Sequence, residues 1–350
     1  MQLRLKRILY GTLTISLAIA GFIVSSQPAH ATQGEFSLQV TPSPIVETLT
    51  PGQVKTVDLR IRNTGSTTEH LKITPRSFSV NSVDGQLSLN DTVEPEIASW
   101  LEFSSKDFVV KPGEWYTEKL TFSVPKDAGF SYSFALVIDR QKEIKNSDEG
   151  VQQLRGSVAI FGLINIDRPG ATRKLDLVTF KSSQAFYEYM PVTFNVEVKN
   201  PGNTIVQPVG NIFIQRSAAD KQPISTMPVN PTKGYVLPGA TRVFSTGWDD
   251  GFQVLVPENP GDAASKKNVS WNWSNVSHLR IGKYTARVVV VYNDGQRDIP
   301  TIGEVSFWII PWKLIGGFLI VISLVGVGLW SLIRSVIRVF SRQKNKMRRL

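Results

Sequence analysis

No cysteine occurs anywhere in the 350 residues. Disulfide-stapled scaffolds and thiolate chemistry are excluded at once, and any fold must hold by packing alone. Histidine is almost as scarce, with only three in the chain. His30 falls in the N-terminal leader, and His70 and His278 stand singly among strand and loop residues. A His-based zinc site or a Ser-His-Asp triad therefore has little to be built from. The G-x-S-x-G elbow and the phosphate-cradling glycine loop ahead of a helix are missing too. No cofactor is implied, and the chain reads as a non-enzyme.

Acidic residues are absent from both ends, and this changes the meaning of the net charge of +10. Residues 1–31 hold 3 Lys or Arg and residues 313–350 hold 8, which leaves 28 basic against 29 acidic residues between them. The basic excess belongs to the ends and not to a surface for nucleic acid. At the start, Arg4, Lys6 and Arg7 precede an uncharged apolar run and then Ala29-His30-Ala31. That layout predicts a signal peptide over 1–31, with an uncleaved signal-anchor as the alternative.

Near the other end, "LIGGFLIVISLVGVGLWSLI" (314–333) carries no charge. At about 1.5 Å per residue, such a helix spans the ~30 Å hydrocarbon core. Trp308, Trp312 and Lys313 stand on one side of it, Arg334 and Arg338 on the other, which are the residues expected at the two membrane interfaces. A single-pass helix over 313–334 is predicted, with a basic tail at 335–350. Since positive segments stay in the cytoplasm, the tail is expected inside and the body of the chain outside. Within the tail, Ile333, Val336, Ile337 and Phe340 share one face and Arg334, Arg338 and Arg342 another, as in a helix lying against anionic headgroups.

What fills the middle is short alternating strands. "KTVDLRIRN" (55–63) sets Val57, Leu59 and Ile61 against Asp58, Arg60 and Arg62, and "PVTFNVEVKN" (191–200) repeats the pattern. Period-2 alternation is that of half-buried antiparallel sheets. Both fragments end in Asn-x-Gly and restart as strands. Pro-Gly precedes further strands in "LTPGQ" (49–53), "VKPGE" (110–114) and "VLPGA" (236–240), and "YNDGQ" (292–296) reads as a hairpin tip. The expected fold is all-β, with two tandem immunoglobulin-like sandwiches over 32–170 and 171–312. The second carries a long polar insert at 249–279, read as a loop.

Inside that insert lie the candidate site residues. Trp271 and Trp273 share one side if the segment is extended. They would stack on sugar rings or anchor a partner, or else pack over the end of the sandwich. The same stretch has three N-x-S patterns, at Asn268, Asn272 and Asn275, where glycosylation stays open. Asp249 and Asp250 are adjacent in a turn-like Asp-Asp-Gly and make a poor catalytic or metal pair.

The stretch "PEIASWLEFSSKDFVVKPGEWYTEKLTFSVPKDAGFSYSFALVI" (95–138), with "PGQVKTVDLRIRNTGS" (51–66) and "FSLQVTPSP" (36–44), resembles the WxL-interacting proteins of Gram-positive bacterial surfaces. So does the plan of leader, two sandwiches, one membrane helix and a basic tail. The resemblance covers 36–168, with Trp100 in an extended segment; 172–310 matches in architecture only. It implies a first domain that binds cell-wall peptidoglycan and a second that binds surface ligands. The expected function is that of a non-catalytic, membrane-anchored surface protein engaging peptidoglycan or a surface protein. The alternative is an accessory or chaperone-like subunit of an envelope export or assembly complex.

Overall fold

The computed structural model describes residues 36–81, 86–141, 156–216, 222–259 and 265–347. The leader expected at 1–31 lies outside the described residues. The chain is mostly strand and ends in one long helix. Its first part runs β1 (Leu38–Thr41), β2 (Ile45–Leu49), β3 (Val54–Asn63), β4 (Glu69–Arg76), β5 (Phe78–Val80), β6 (Leu87–Leu89), the short helix α1 (Pro95–Trp100), β7 (Leu101–Phe103), β8 (Asp107–Val110), β9 (Trp115–Ser123), β10 (Ser131–Arg140) and β11 (Ser157–Ile166). Two sheets, in the orders β1-β3-β9-β7 and β2-β11-β10-β4-β8, enclose one core. Leu59, Ile61, Leu120 and Phe122 enter that core from the first sheet, and Leu71, Ile73, Leu136, Ile138 and Ile160 enter it from the second.

The second part repeats the scheme with β12 (Asp176–Ser182), β13 (Phe186–Tyr187), β14 (Val192–Lys199), β15 (Val209–Gln215), β16 (Ser225–Pro228), β17 (Thr241–Trp248), β18 (Gln253–Pro257), β19 (Lys267–Trp271), β20 (Gly282–Asn293) and β21 (Asp298–Ile309). Sheets β12-β14-β17 and β13-β21-β20-β15-β16 enclose a separate core. All four apolar residues of the alternating strand β14 (Val192, Phe194, Val196 and Val198) are buried in it. Burying each such side chain contributes about 1.5–3 kcal/mol, so these stripes dominate both sandwiches.

Both parts begin alike. An opening strand pairs antiparallel with the third (β1 with β3, β12 with β14), and a short second strand then pairs parallel with the last (β2 with β11, β13 with β21). The two Asn-x-Gly fragments also do the same thing. Asn63 and Asn200 are both fully buried. Each donates from Nδ2 to a carbonyl four residues on (Thr67 at 2.6 Å, Thr204 at 2.8 Å). A second bond goes to a distant carbonyl at 3.0 Å, Val110 or Val236, just before the Pro-Gly turn. Each Oδ1 accepts from the glycine two residues on, at 2.9 Å. The turn glycines Gly113 and Gly239 sit at φ +77° and +72°, the region glycine accepts without strain, and each donates its N–H back to the asparagine carbonyl at 2.8 Å. The repeated turn words of the sequence are thus the two halves of one clamp.

Two expectations are corrected. Trp100 ends a six-residue helix and is not in an extended segment; Pro95 opens that helix, where a missing N–H costs nothing, and Trp100 is buried with its ring edge-on to Tyr132. Among its described residues, the 249–279 insert is not simply a loop. It folds into the antiparallel hairpin β18–β19 followed by a 3-10 segment, Trp273–His278, because the pairing from Gln253–Trp271 to Pro257–Lys267 uses up its backbone groups. In the first sandwich the corresponding connection, between β9 and β10, is only the short turn of 124–130.

Candidate functional site: an aromatic cluster near the helix and a cleft between the sandwiches

The strand β21 leads through Ile310 and Pro311 into α2 (Trp312–Met347). Its segment Trp312–Arg334 has a mean hydropathy of 2.2, long and apolar enough to cross a membrane. The residues 188–190 tie the start of this helix to the insert. Glu188 accepts from Lys313 Nζ at 3.1 Å, and the Lys313 ammonium lies 5.5 Å from the Tyr189 ring. Burial, and then the neighbouring Glu188 carboxylate, raise the Tyr189 hydroxyl pKa above its ordinary value. Met190 in turn exchanges backbone hydrogen bonds with the hairpin, accepting from Leu255 at 2.7 Å and donating to Gln253 at 3.1 Å. Ion pair and hairpin base are therefore two residues apart.

At the hairpin base, Trp271 and Trp273 are brought together, their rings 6.3 Å apart and 19° from parallel. Both lie edge-on to Phe252, each at 5.3 Å. Phe252 is buried, but Trp271 is 46% exposed and Trp273 73% exposed. The segment is not extended throughout: Trp271 ends β19, and Trp273 has left the strand for the 3-10 segment. Asn268 lies on β19, Asn272 caps the start of the 3-10 segment and Asn275 lies within it. Trp308 and Trp312 are exposed at 41% and 61%, and Arg334 packs its guanidinium over Trp330 at 5.1 Å. Arg338 lies in α2.

Sequence reasoning missed the wedge Phe252 and the use made of Asp250. Asp250 is bound by Arg280, whose Nη2 donates to Oδ2 at 2.7 Å, and by the His278 ring through Nδ1. A carboxylate so occupied pins the insert to the start of β20. Among the described residues, no group of three or more His, Asp or Glu is placed to hold a metal ion.

A second concavity lies between the sandwiches. Asn165 of β11 treats Ile205 as a strand neighbour, accepting its N–H at 2.8 Å and donating to its carbonyl at 3.1 Å. Ser131 donates to the Asn203 carbonyl at 3.0 Å, and Asn203 is itself fixed to the connecting segment by Thr172 and Gly170. Ser131, Asn203 and Ile205 also line an open cleft of about 610 Å³, with Phe130, Tyr132 and Ser133 from the first sandwich and Leu237 and Pro238 from the second. Tyr132 is held there by Glu96 at 2.7 Å; burial and that carboxylate push its pKa up. The cleft leads into β17, which pairs only with β14 among the described residues.

No family model matches the chain, and no curated protein matches it. Among solved structures, the chain is similar to the YadV chaperone at 13% identity and a TM-score of 0.35, covering 77% of this chain and 99% of that one. It is similar to the CsuC–CsuE chaperone and tip-adhesion-subunit pre-assembly complex of Acinetobacter baumannii at 13% identity and 0.36, covering 76% and 97%. A Porphyromonas gingivalis protein of unknown function is similar at 13% identity and 0.27, covering 77% and 99%. None of these scores reaches 0.5.

Proposed function

We propose that the chain is a non-catalytic binding protein of the cell envelope, made of two immunoglobulin-like domains over 32–170 and 171–312 and held at the membrane by one C-terminal helix. The basic residues from Arg334 onward keep the tail in the cytoplasm, so the domains stand outside. The partner is a protein segment, received by the cleft between the domains. One observation carries this reading: the cleft is lined by residues of both sandwiches, and the two are hydrogen-bonded beside it through Asn165 to Ile205 and Ser131 to Asn203. Its wall of Phe130 and Tyr132 suits side chains, and the edge strand β17, which follows Leu237 and Pro238 in the chain, offers main-chain groups to an added strand. An accessory or chaperone-like role in envelope assembly follows more directly than wall binding, which rests on the resemblance of 36–168 to WxL-interacting proteins.

A photo-crosslinking amino acid at Leu237 or Ser133, in the full chain in its native membrane, tests the reading. One discrete protein adduct is expected from both positions and none from Asn211 of β15, which does not line the cleft. Retention on insoluble wall sacculi with no protein adduct would overturn it in favour of the peptidoglycan role. Absence of both would overturn the cleft as a binding site.

A further inference from the structure

The exposed aromatic residues of the second sandwich are concentrated where the chain enters α2. Phe252, the wedge beneath Trp271 and Trp273, lines the same narrow crevice as Ile309 and Pro311, and Pro311 is joined directly to Trp312. Val276 and Ile281, on either side of the 3-10 segment's end, are exposed at 51% and 43%. Trp308 is exposed beside them and paired in register with Lys283, itself exposed on β20. The hairpin's other end, at Pro257 and Lys267, carries no exposed aromatic residue. The two stacked indoles stay largely exposed although Phe252 beneath them is buried.

We propose that Trp271, Trp273 and Val276 form a second membrane contact, seated at the headgroup level of the bilayer that α2 crosses. Indole rings favour that level because one edge is apolar and the ring N–H stays wet. Lys283, exposed on β20 in register with Trp308, supplies a cation for the lipid phosphates. A sandwich joined to a bilayer by one helix alone is free to tilt. A second contact through the insert, braced by Met190 against the strand core and by Asp250 against Arg280, removes that freedom. This gives the insert a use that its equivalent turn in the first sandwich, remote from α2, does not need. The inference rests on the reading of α2 as membrane-spanning.

The experiment is tryptophan quenching by brominated acyl chains. The full chain is reconstituted in vesicles of phosphatidylcholine and phosphatidylglycerol, brominated or not, and compared with the Trp271→Phe/Trp273→Phe variant. Phenylalanine keeps the packing on Phe252, and the single Trp273→Phe variant serves should the double variant fold poorly. Five tryptophans (271, 273, 308, 312 and 330) stand at membrane level on this proposal, so the variant should lose about two-fifths of the quenchable signal. Unchanged quenching in the variant would overturn the second contact while leaving the helix inserted, since Trp330 reports the helix itself. No quenching in either protein would overturn the membrane-spanning reading and the contact with it.

Discussion

Asn63 and Asn200 make the same three side-chain hydrogen bonds, one set in each sandwich, and neither is reached by solvent. Each joins the end of one strand to the carbonyl before a Pro-Gly turn, 47 residues away in the first case and 36 in the second. A clamp of this kind fixes which turn meets which strand. Its amide satisfies carbonyls that would otherwise be buried without a partner.

Replacing either asparagine by alanine should therefore cost about 2–4 kcal/mol, since two carbonyls and a glycine N–H lose their bonds together. Hydrogen exchange locates the damage. Asn63→Ala should release the amide of Gly65 and leave Gly202 protected, and Asn200→Ala should do the reverse. Equal release at both glycines in either variant would mean that the clamps are not local.

Glu69, buried on β4, is gripped through both carboxylate oxygens by Arg140 of β10 and accepts from Thr67 at 3.0 Å. That bond raises the Arg140 pKa, and the guanidinium also lies 5.0 Å from the Phe36 ring. Glu69→Ala takes the carboxylate away from a part-buried guanidinium and should cost roughly 3 kcal/mol, the low end for a broken buried pair. The double variant Glu69→Leu/Arg140→Met should recover most of it. Denaturant titration of the two checks this, and a double variant no better than the single would refute it.

Tyr116 predicts an alkaline limit. Burial, followed by its 2.8 Å hydrogen bond to the buried Glu118 carboxylate and that carboxylate's charge, pushes its hydroxyl pKa up to about 12. The folded state thus holds this proton where the unfolded chain, near pH 10, has already released it. Stability is unaffected below pH 10 and falls between pH 10 and about 12. Urea titrations across that window should show a shallower fall for Tyr116→Phe than for the parent chain. Parallel curves would mean that Tyr116 is not among the groups responsible.

Much of this architecture is visible in residue order alone. Alternation marks β3 and β14, Pro-Gly marks the turns at Gly52, Gly113 and Gly239, and a charge-free run marks α2, because each is a local signal with a fixed period or composition. The hairpin β18–β19 escapes because Val254 is its one apolar residue packed on a core, so few of its side chains are buried and no alternation is needed. Six residues of α1 are too few to show a helical period. Asn-x-Gly is legible as a turn, but the bonds from Asn63 to Val110 and from Asn200 to Val236 are tertiary and leave no local mark. The Lys313–Glu188 pair, 125 residues apart, escapes for the same reason.

The hairpin β20–β21 is twelve residues long on each arm. One end meets α2, and at the other Gly295 lies beside Arg173 of the connecting segment. At about 3.3 Å per residue it is a mast of ~40 Å. With α2 in the bilayer, the cleft is therefore held at a set height, beyond the reach of a partner flush with the lipid surface. It is suited to one that projects a comparable distance from the membrane or arrives through the space above it.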